Sequence, residues 1–338
     1  MNDTTELWLG ADGRWSGSGG IGRFSDEVLK RLPEARVLKG GPAPTHPLGS
    51  VWSGWWVRRH RPEVFFSPGF NPPLASSAAN LCVVHDLIHL RFPGESSTYK
   101  RFFYENILRP TVRRTGCVIT VSEFSRRDIA EWLNMALDRV VVAYNAVSPE
   151  FSPSGKRCTM GFPYALYVGN QRQHKNISRL IESMAALERA RDLHLVLTGN
   201  PGKEATKAIR DFGLAKRVRF IGNVDDKSLP ALYRGAELLV LPSLYEGFGL
   251  PVLEAMACGT PVAASNCTSI PEIAGGAALL FAPSRSDEIA AAIDRIAADS
   301  SLRSELRAKG LERARSFSWD NTARVIRHTL TTLRRNTQ

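Results

Sequence analysis

The sequence has little that would tie it to an oxidising compartment, a metal or a membrane span. Its five cysteines, Cys82, Cys117, Cys158, Cys258 and Cys267, form no C-x-x-C pair in 338 residues. Neither a disulfide framework nor a zinc ribbon is indicated, and buried free thiols are expected. Apolar runs such as Ala236 to Pro242 and Ala277 to Pro283 are strand-sized, far short of the roughly 20 residues that cross a bilayer. Met1 to Trp8 carry acids and lack the basic-then-apolar order of a secretory leader, so a cytoplasmic protein is expected. Acid is also scarce: 33 Asp and Glu stand against 44 Lys and Arg, a formal net charge of +11. That balance leaves nucleic acid, an anionic membrane surface and a phosphate-bearing substrate open as partners.

The basic residues gather in two stretches. One runs from Lys100 and Arg101 through Arg109, Arg113 and Arg114 to Arg126 and Arg127; the other lies between Arg303 and Arg335. Neither carries a zinc-finger, RNP or KH pattern. Both read as solvated helix faces, and the first also as a membrane-surface patch.

Strand-like and helix-like segments alternate along most of the length. Strands are expected at Glu6 to Leu9, Val64 to Ser67, Leu81 to Val84, Cys117 to Val121 and Val140 to Ala143, with helices at Gly22 to Leu32, Tyr99 to Arg114 and Ser125 to Leu133. After the Pro/Ser/Gly stretch Ser148 to Gly155 the alternation restarts with Tyr164 to Val168 and continues to Ala278 to Phe281. Two such runs imply two doubly wound α/β domains, with ligands outside the carboxyl ends of parallel strands. The expected division is 1–150, 151–316 and a last helix, 317–338, that crosses back onto the first domain.

The segment P-S-L-Y-E-G-F-G-L-P-V-L-E-A-M-A-C-G-T-P-V, Pro242 to Val262, carries most of the chemistry. It follows a strand and opens a helix near Pro251, a residue suited to a first helical turn. Gly247 and Gly249 let a ligand approach the backbone, and free N–H groups at a helix start attract anions and hydroxyls. Glu246 and Glu254 are separated by a span on the order of 10 Å, about the reach from a sugar to a ribose. This segment resembles the E-x7-E signature of glycosyltransferase family four, which has the GT-B fold. Other motifs of that family recur in order: Gly19-Gly20-Ile21-Gly22-Arg23, Val84-His85-Asp86-Leu87, Val121-Ser122-Glu123-Phe124-Ser125, Gly169-Asn170 with His174-Lys175-Asn176, and Pro271-Glu272-Ile273 with Gly275.

The resemblance implies a retaining transferase whose donor, a nucleotide diphosphate sugar, lies in a cleft between two Rossmann-like domains. It places Lys175 on the diphosphate; where the family has arginine this chain has His174, which leaves Arg172 either as its substitute or as a surface residue. Glu246 holds the sugar, the backbone of Gly247, Phe248, Gly249 and Leu250 its hydroxyls, and Glu254 the ribose. Gly20 and Gly22 face the diphosphate, and His85 approaches the sugar. Asp86 orients its loop, and His89 and Arg91 are candidates for an acceptor channel. A cation beside the leaving diphosphate stabilises charge that grows in the transition state. No Asp-x-Asp metal motif is present, so no cofactor and no metal are expected. The first-domain motifs are most similar to bacterial mannosyltransferases of polysaccharide or O-antigen assembly. That favours a GDP-linked mannose donor and a saccharide or polyprenyl-linked acceptor. A nucleotide-sugar epimerase of similar fold and a basic nucleic-acid-binding protein are the alternatives.

Overall fold

The computed structural model describes residues 8–17, 19–76 and 78–335. The leader reading of Met1 to Trp8 and the start of the expected strand at Glu6 lie largely outside them. The chain divides into two compact units, Met1–Asn145 with Ser318–Gln338, and Ala146–Phe317.

In the first unit the strands β1 (Leu9–Asp12), β2 (Arg36–Leu38), β3 (Val64–Ser67) and β4 (Ala79–Cys82) form one parallel sheet in the order β2-β1-β3-β4. Strands β5 (Val118–Thr120) and β6 (Val140–Val142) pair in parallel beside it, joined to the end of β4 by a parallel bridge from Val83 to Ile119. Strands β1, β3 and β5 are buried at every residue, as helices on either side of a parallel sheet require, whereas Arg36 on β2 is exposed. The expected helix Tyr99 to Arg114 is three pieces: Thr98–Phe103, a π turn at Tyr104–Leu108, and Arg109–Thr115. Pro110 explains the widened turn, since it has no N–H to donate and its ring would crowd the carbonyl of Asn106. The helix Gly49–His60 has no regular apolar period to announce it. Gly54 sits inside it because a Cβ there would come within 2.0 Å of the Leu74 carbonyl oxygen.

The last helix, Trp319–Arg335, packs within this first unit. Trp319 meets Phe24 edge-on at 6.0 Å. Arg327 pairs with Glu34 at 2.8 Å and Arg334 with Glu63 at 3.0 Å.

The second unit is a six-stranded parallel sheet. Its strands are β7 (Tyr164–Tyr167), β8 (His194–Leu197), β9 (Val218–Phe220), β10 (Leu238–Leu241), β11 (Val262–Ser265) and β12 (Leu279–Phe281), in the order β12-β11-β10-β7-β8-β9. Every residue of β7, β10 and β11 is buried. The winding reverses between the neighbours β7 and β10, the place at which open α/β sheets generally receive ligands. All five cysteines are free thiols; Cys82 and Cys258 are buried, whereas Cys117, Cys158 and Cys267 are half-buried.

Candidate active site

At the reversal point of the second unit, the loop after β7 and the loop after β10 each deliver one charged side chain. Tyr167, the last residue of β7, donates its hydroxyl to the Asn170 carbonyl at 2.9 Å, fixing the start of the first loop. The loop tightens into a single 3-10 turn, Gln173–Lys175, and ends on Asn176 at φ +58°. Asparagine tolerates that left-handed conformation, and here its side-chain amide donates to the carbonyls of Pro242 (3.1 Å) and Pro283 (2.7 Å). His174 is buried, and its carbonyl accepts from the Leu244 N–H at 2.7 Å. The backbone at the motif's basic position thus ties the two loops together. Arg172 is exposed and its guanidinium pairs with no acid among the described residues.

These ties bring Lys175 Nζ to 2.6 Å from Glu246 Oε1, with side-chain exposures of only 13% and 11%. The same oxygen accepts from Ser243 Oγ at 2.7 Å. Thr268 Oγ1 accepts from the Glu246 N–H at 3.1 Å, and Ser269 Oγ donates to the carbonyls of Glu246 and Phe248 at 2.9 and 3.0 Å. Burial, with the Glu246 carboxylate nearby, raises the Tyr167 phenol well above its ordinary pKa, so it stays a neutral donor.

The glycine turn then leads into the helix Leu250–Ala257, capped by Gly249 at φ +97°. A Cβ at Gly249 would meet Ile270 Cδ1 at 2.5 Å as well as that strained φ, so only glycine fits. The Phe248 ring is buried edge-on to Phe317 at 5.8 Å. Of Phe248 only the backbone can serve a ligand. Glu254 is 3% exposed and accepts from the Tyr233 hydroxyl at 2.7 Å.

In the first unit, Gly19 caps the helix Gly20–Leu29 at φ +90°. A Cβ on Gly22 would come within 2.2 Å of the Gly17 carbonyl oxygen, so the glycine cluster is a tight fold of loop onto helix. His85 lies just beyond β4, at the carboxyl end of the sheet, edge-on to Phe24 at 5.0 Å. Its Nε2 is 3.0 Å from the Pro68 carbonyl. A carbonyl only accepts, so Nε2 carries the proton and Nδ1 is the lone-pair nitrogen. Burial pushes this imidazole down to about 4, the Pro68 carbonyl pulling weakly the other way, so it is neutral near pH 7. Asp86 Oδ1 accepts from the Ile88 N–H at 3.0 Å, which orients its loop. His89 lies edge-on to Tyr104 at 5.9 Å, and Arg91 is paired with Asp128. Arg91 is thus engaged in holding the helix Glu123–Leu133.

The basic stretch is only partly free. Arg109 pairs with Glu105 at 2.9 Å and Arg126 with Glu123 at 3.2 Å; Arg113, Arg114 and Arg127 are exposed.

Residues 18–151 match the model of Glycosyltransferase Family 4, and residues 154–313 that of Glycosyl transferases group 1. The O-antigen chain mannosyltransferase B of Escherichia coli is 33% identical over 290 residues, which are 82% of this chain and 75% of that one. This chain belongs to that family of glycosyltransferases. It is also 32% identical to the serotype-specific mannosyltransferase WbdA of Escherichia coli over 76% of its own length, spanning 34% of that protein. Its fold is that of the sucrose-phosphate synthase from Thermosynechococcus elongatus, at a TM-score of 0.76 and 20% identity over 97% of this chain and 99% of that one. Both units are Rossmann-like, the GT-B plan.

Several residues of this glycosyltransferase escaped the sequence reading. Ser243 stands three before Glu246 and Tyr233 sits one helix earlier; only contact geometry marks them. Gln171 is another: both polar atoms of its amide are buried and take no hydrogen bond among the described residues. Its signal was faint, a lone amide inside the loop between Gly169 and Lys175. Among the described residues no three His, Cys, Asp or Glu side chains are grouped to hold a metal ion, and no helix is long and apolar enough to cross a membrane.

Proposed function

We propose that the protein transfers mannose from GDP-mannose, with retention of configuration, onto a saccharide or polyprenyl-linked oligosaccharide during assembly of a cell-surface polysaccharide. The observation that carries this reading is the buried Lys175–Glu246 pair between the loops after β7 and β10. A nucleoside diphosphate arriving there gives Lys175 a stronger partner than Glu246. The freed carboxylate then accepts from sugar hydroxyls, while Lys175 meets the charge that grows as the glycosidic bond breaks. Arg172, exposed beside this loop, adds a planar fork for a phosphate. Glu254, held by the Tyr233 hydroxyl at 2.7 Å, accepts from the ribose hydroxyls. The Gln171 amide, costly to leave buried and unpaired, is satisfied by the donor. In the first unit, Gly20 and Gly22, in the first turn of their helix, let the preceding loop fold close against it, and His85 Nδ1 accepts from a hydroxyl.

The mannosyl assignment is supported by the names of the Escherichia coli relatives, which are O-antigen chain and serotype-specific mannosyltransferases. The reaction proceeds without a metal, because the lysine supplies the cation; activity should survive chelation by EDTA. A polyprenyl-linked acceptor places the protein on the cytoplasmic face of the membrane, where Arg113, Arg114 and Arg127 can meet anionic lipid.

The test is a thermal-shift panel of GDP, UDP, ADP and dTDP with their sugars, followed by detection of released nucleotide with each stabilising sugar donor. A ligand at a hundredfold its dissociation constant adds about 2.7 kcal/mol. GDP-mannose should stabilise most and be consumed. Stabilisation by UDP-sugars alone would reassign the donor, and consumption of none would return the epimerase reading.

A further inference from the structure

Within the first unit, a cavity of about 750 Å³ lies between the start of β5, the start of β6 and the last helix. Gly116 and Cys117 line it just before β5, and Asp138 and Arg139 just before β6. Strands β4, β5 and β6 run parallel, so this cavity is at the amino ends of the strands, whereas His85 follows the carboxyl end of β4. Of the site candidates already discussed in this unit only the exposed Arg114 borders it; His85 and Asp86 lie beyond the opposite ends of the strands.

Its chemistry is two-sided. Arg114, Arg139 and Arg324 border it, and His328 stands four residues after Arg324, on the same helical face. Asp138 is the one acid among the lining residues, which leaves a surplus of two positive charges. Arg114 and Arg139 form no ion pair among the described residues, and Arg324 meets only the neutral Asn321 side chain. The remaining wall combines the apolar Val141, Val325 and Leu333 with the threonines Thr115, Thr329 and Thr332. The volume falls in the range of small-molecule sites, about 300–1,000 Å³.

We propose that this cavity binds a phosphorylated amphiphile, its phosphate monoester held by Arg114, Arg139 and Arg324 and its hydrocarbon chain laid along Val141, Val325 and Leu333. A phosphate monoester carries close to two negative charges at pH 7, which matches the surplus, and arginine forks suit its oxygens. A neutral lipid would leave the guanidinium groups unanswered, and a free anion would leave the apolar wall uncovered. The site is separate from donor binding and does not depend on the identity of the sugar.

Cys117 supplies a reporter. It lines the cavity as a half-buried free thiol, while Cys158 and Cys267, also half-buried, belong to the second unit. The full-length protein is titrated with decyl phosphate below its micellar concentration. Labelling of each cysteine by an uncharged maleimide is then followed by mass spectrometry. Decyl phosphate should slow labelling of Cys117 and leave Cys158 and Cys267 unchanged. The double variant Arg139→Gln/Arg324→Gln should need at least about tenfold more ligand for the same protection, as expected for lost charge-assisted bonds. Both changes are at exposed positions, and an unaltered melting temperature confirms that the fold is intact. Equal protection of the variant overturns the proposal. So does equal protection by decanol, which would make the cavity merely apolar, or by inorganic phosphate, which would make the ligand a free anion. Protection by phosphatidate vesicles but not by monomeric decyl phosphate would place the contact on a membrane surface, and also overturns it.

Discussion

The motif residues of the two units behave differently once folded. In the second unit they converge on one another: Lys175 and Glu246, 71 positions apart, meet at 2.6 Å, and the loops that carry them are stitched through His174 and Asn176. In the first unit they disperse into separate structural contacts: Arg91 to Asp128, His89 against Tyr104, Asp86 to its own turn, and His85 to the Pro68 carbonyl. The second unit thus gathers two opposite charges at one buried point, Lys175 Nζ against Glu246 Oε1. His85, Asp86 and Arg91, each held by a contact within the first unit, act there as a scaffold.

The largest expected effect lies at the converging pair. Lys175→Ala should lower turnover by on the order of a hundredfold or more. It should also destabilise the protein by about 3 kcal/mol, because Glu246 would be left buried without its cation. The double variant Lys175→Met/Glu246→Gln removes both charges and should recover most of that stability but none of the turnover. Chemical denaturation and initial rates together separate the two roles. A Lys175→Ala variant that melts early but turns over normally would make the pair structural and break the comparison.

Next is Glu254→Gln, which should weaken nucleotide binding by roughly 1–3 kcal/mol, read by calorimetry. If the loss follows Tyr233→Phe equally, Glu254 serves the core instead of the ribose.

A pH effect should distinguish the first unit. The folded-state pKa of His85 is about 4, below the ordinary value near 6.5 for an unfolded chain. The unfolded state therefore binds the extra proton first, and stability contributed by neutral His85 is present above about pH 6.5. It declines as pH falls towards 4. His85→Asn should flatten this part of the melting-temperature profile, and an unchanged slope would mean that other groups govern it.

The smallest effect is expected at Arg91→Gln: a loss of about 1 kcal/mol from the half-exposed pair with Asp128, with turnover at saturating substrate little changed. A large rise in acceptor KM without loss of stability would instead return Arg91 to an acceptor channel and blur the contrast.

The contrast also explains how much was readable in advance. The β-α alternation and the Pro242 to Val262 segment were legible because strand runs such as Leu238–Leu241 and turn residues such as Gly249 act locally: a short apolar run needs two covered faces, and φ +97° needs glycine. The helix Gly49–His60 was not, since its tryptophans and glycines answer to contacts with distant loops such as Leu74. His174 stood out only as a histidine where the family has arginine; its burial and its backbone bond to Leu244 are products of tertiary folding. The arginine stretch looked uniformly free until Arg109 and Arg126 found acids three and four residues away. Charge is visible in a sequence; whether it is already answered is not.

The most direct test of the central claim is equilibrium binding of GDP-mannose to the stable Lys175→Met/Glu246→Gln variant beside the unaltered protein. Loss of the lysine's charge-assisted bond to the diphosphate should weaken binding by at least about tenfold. Unchanged affinity in a variant that folds normally would contradict the assignment of the donor to the loops after β7 and β10.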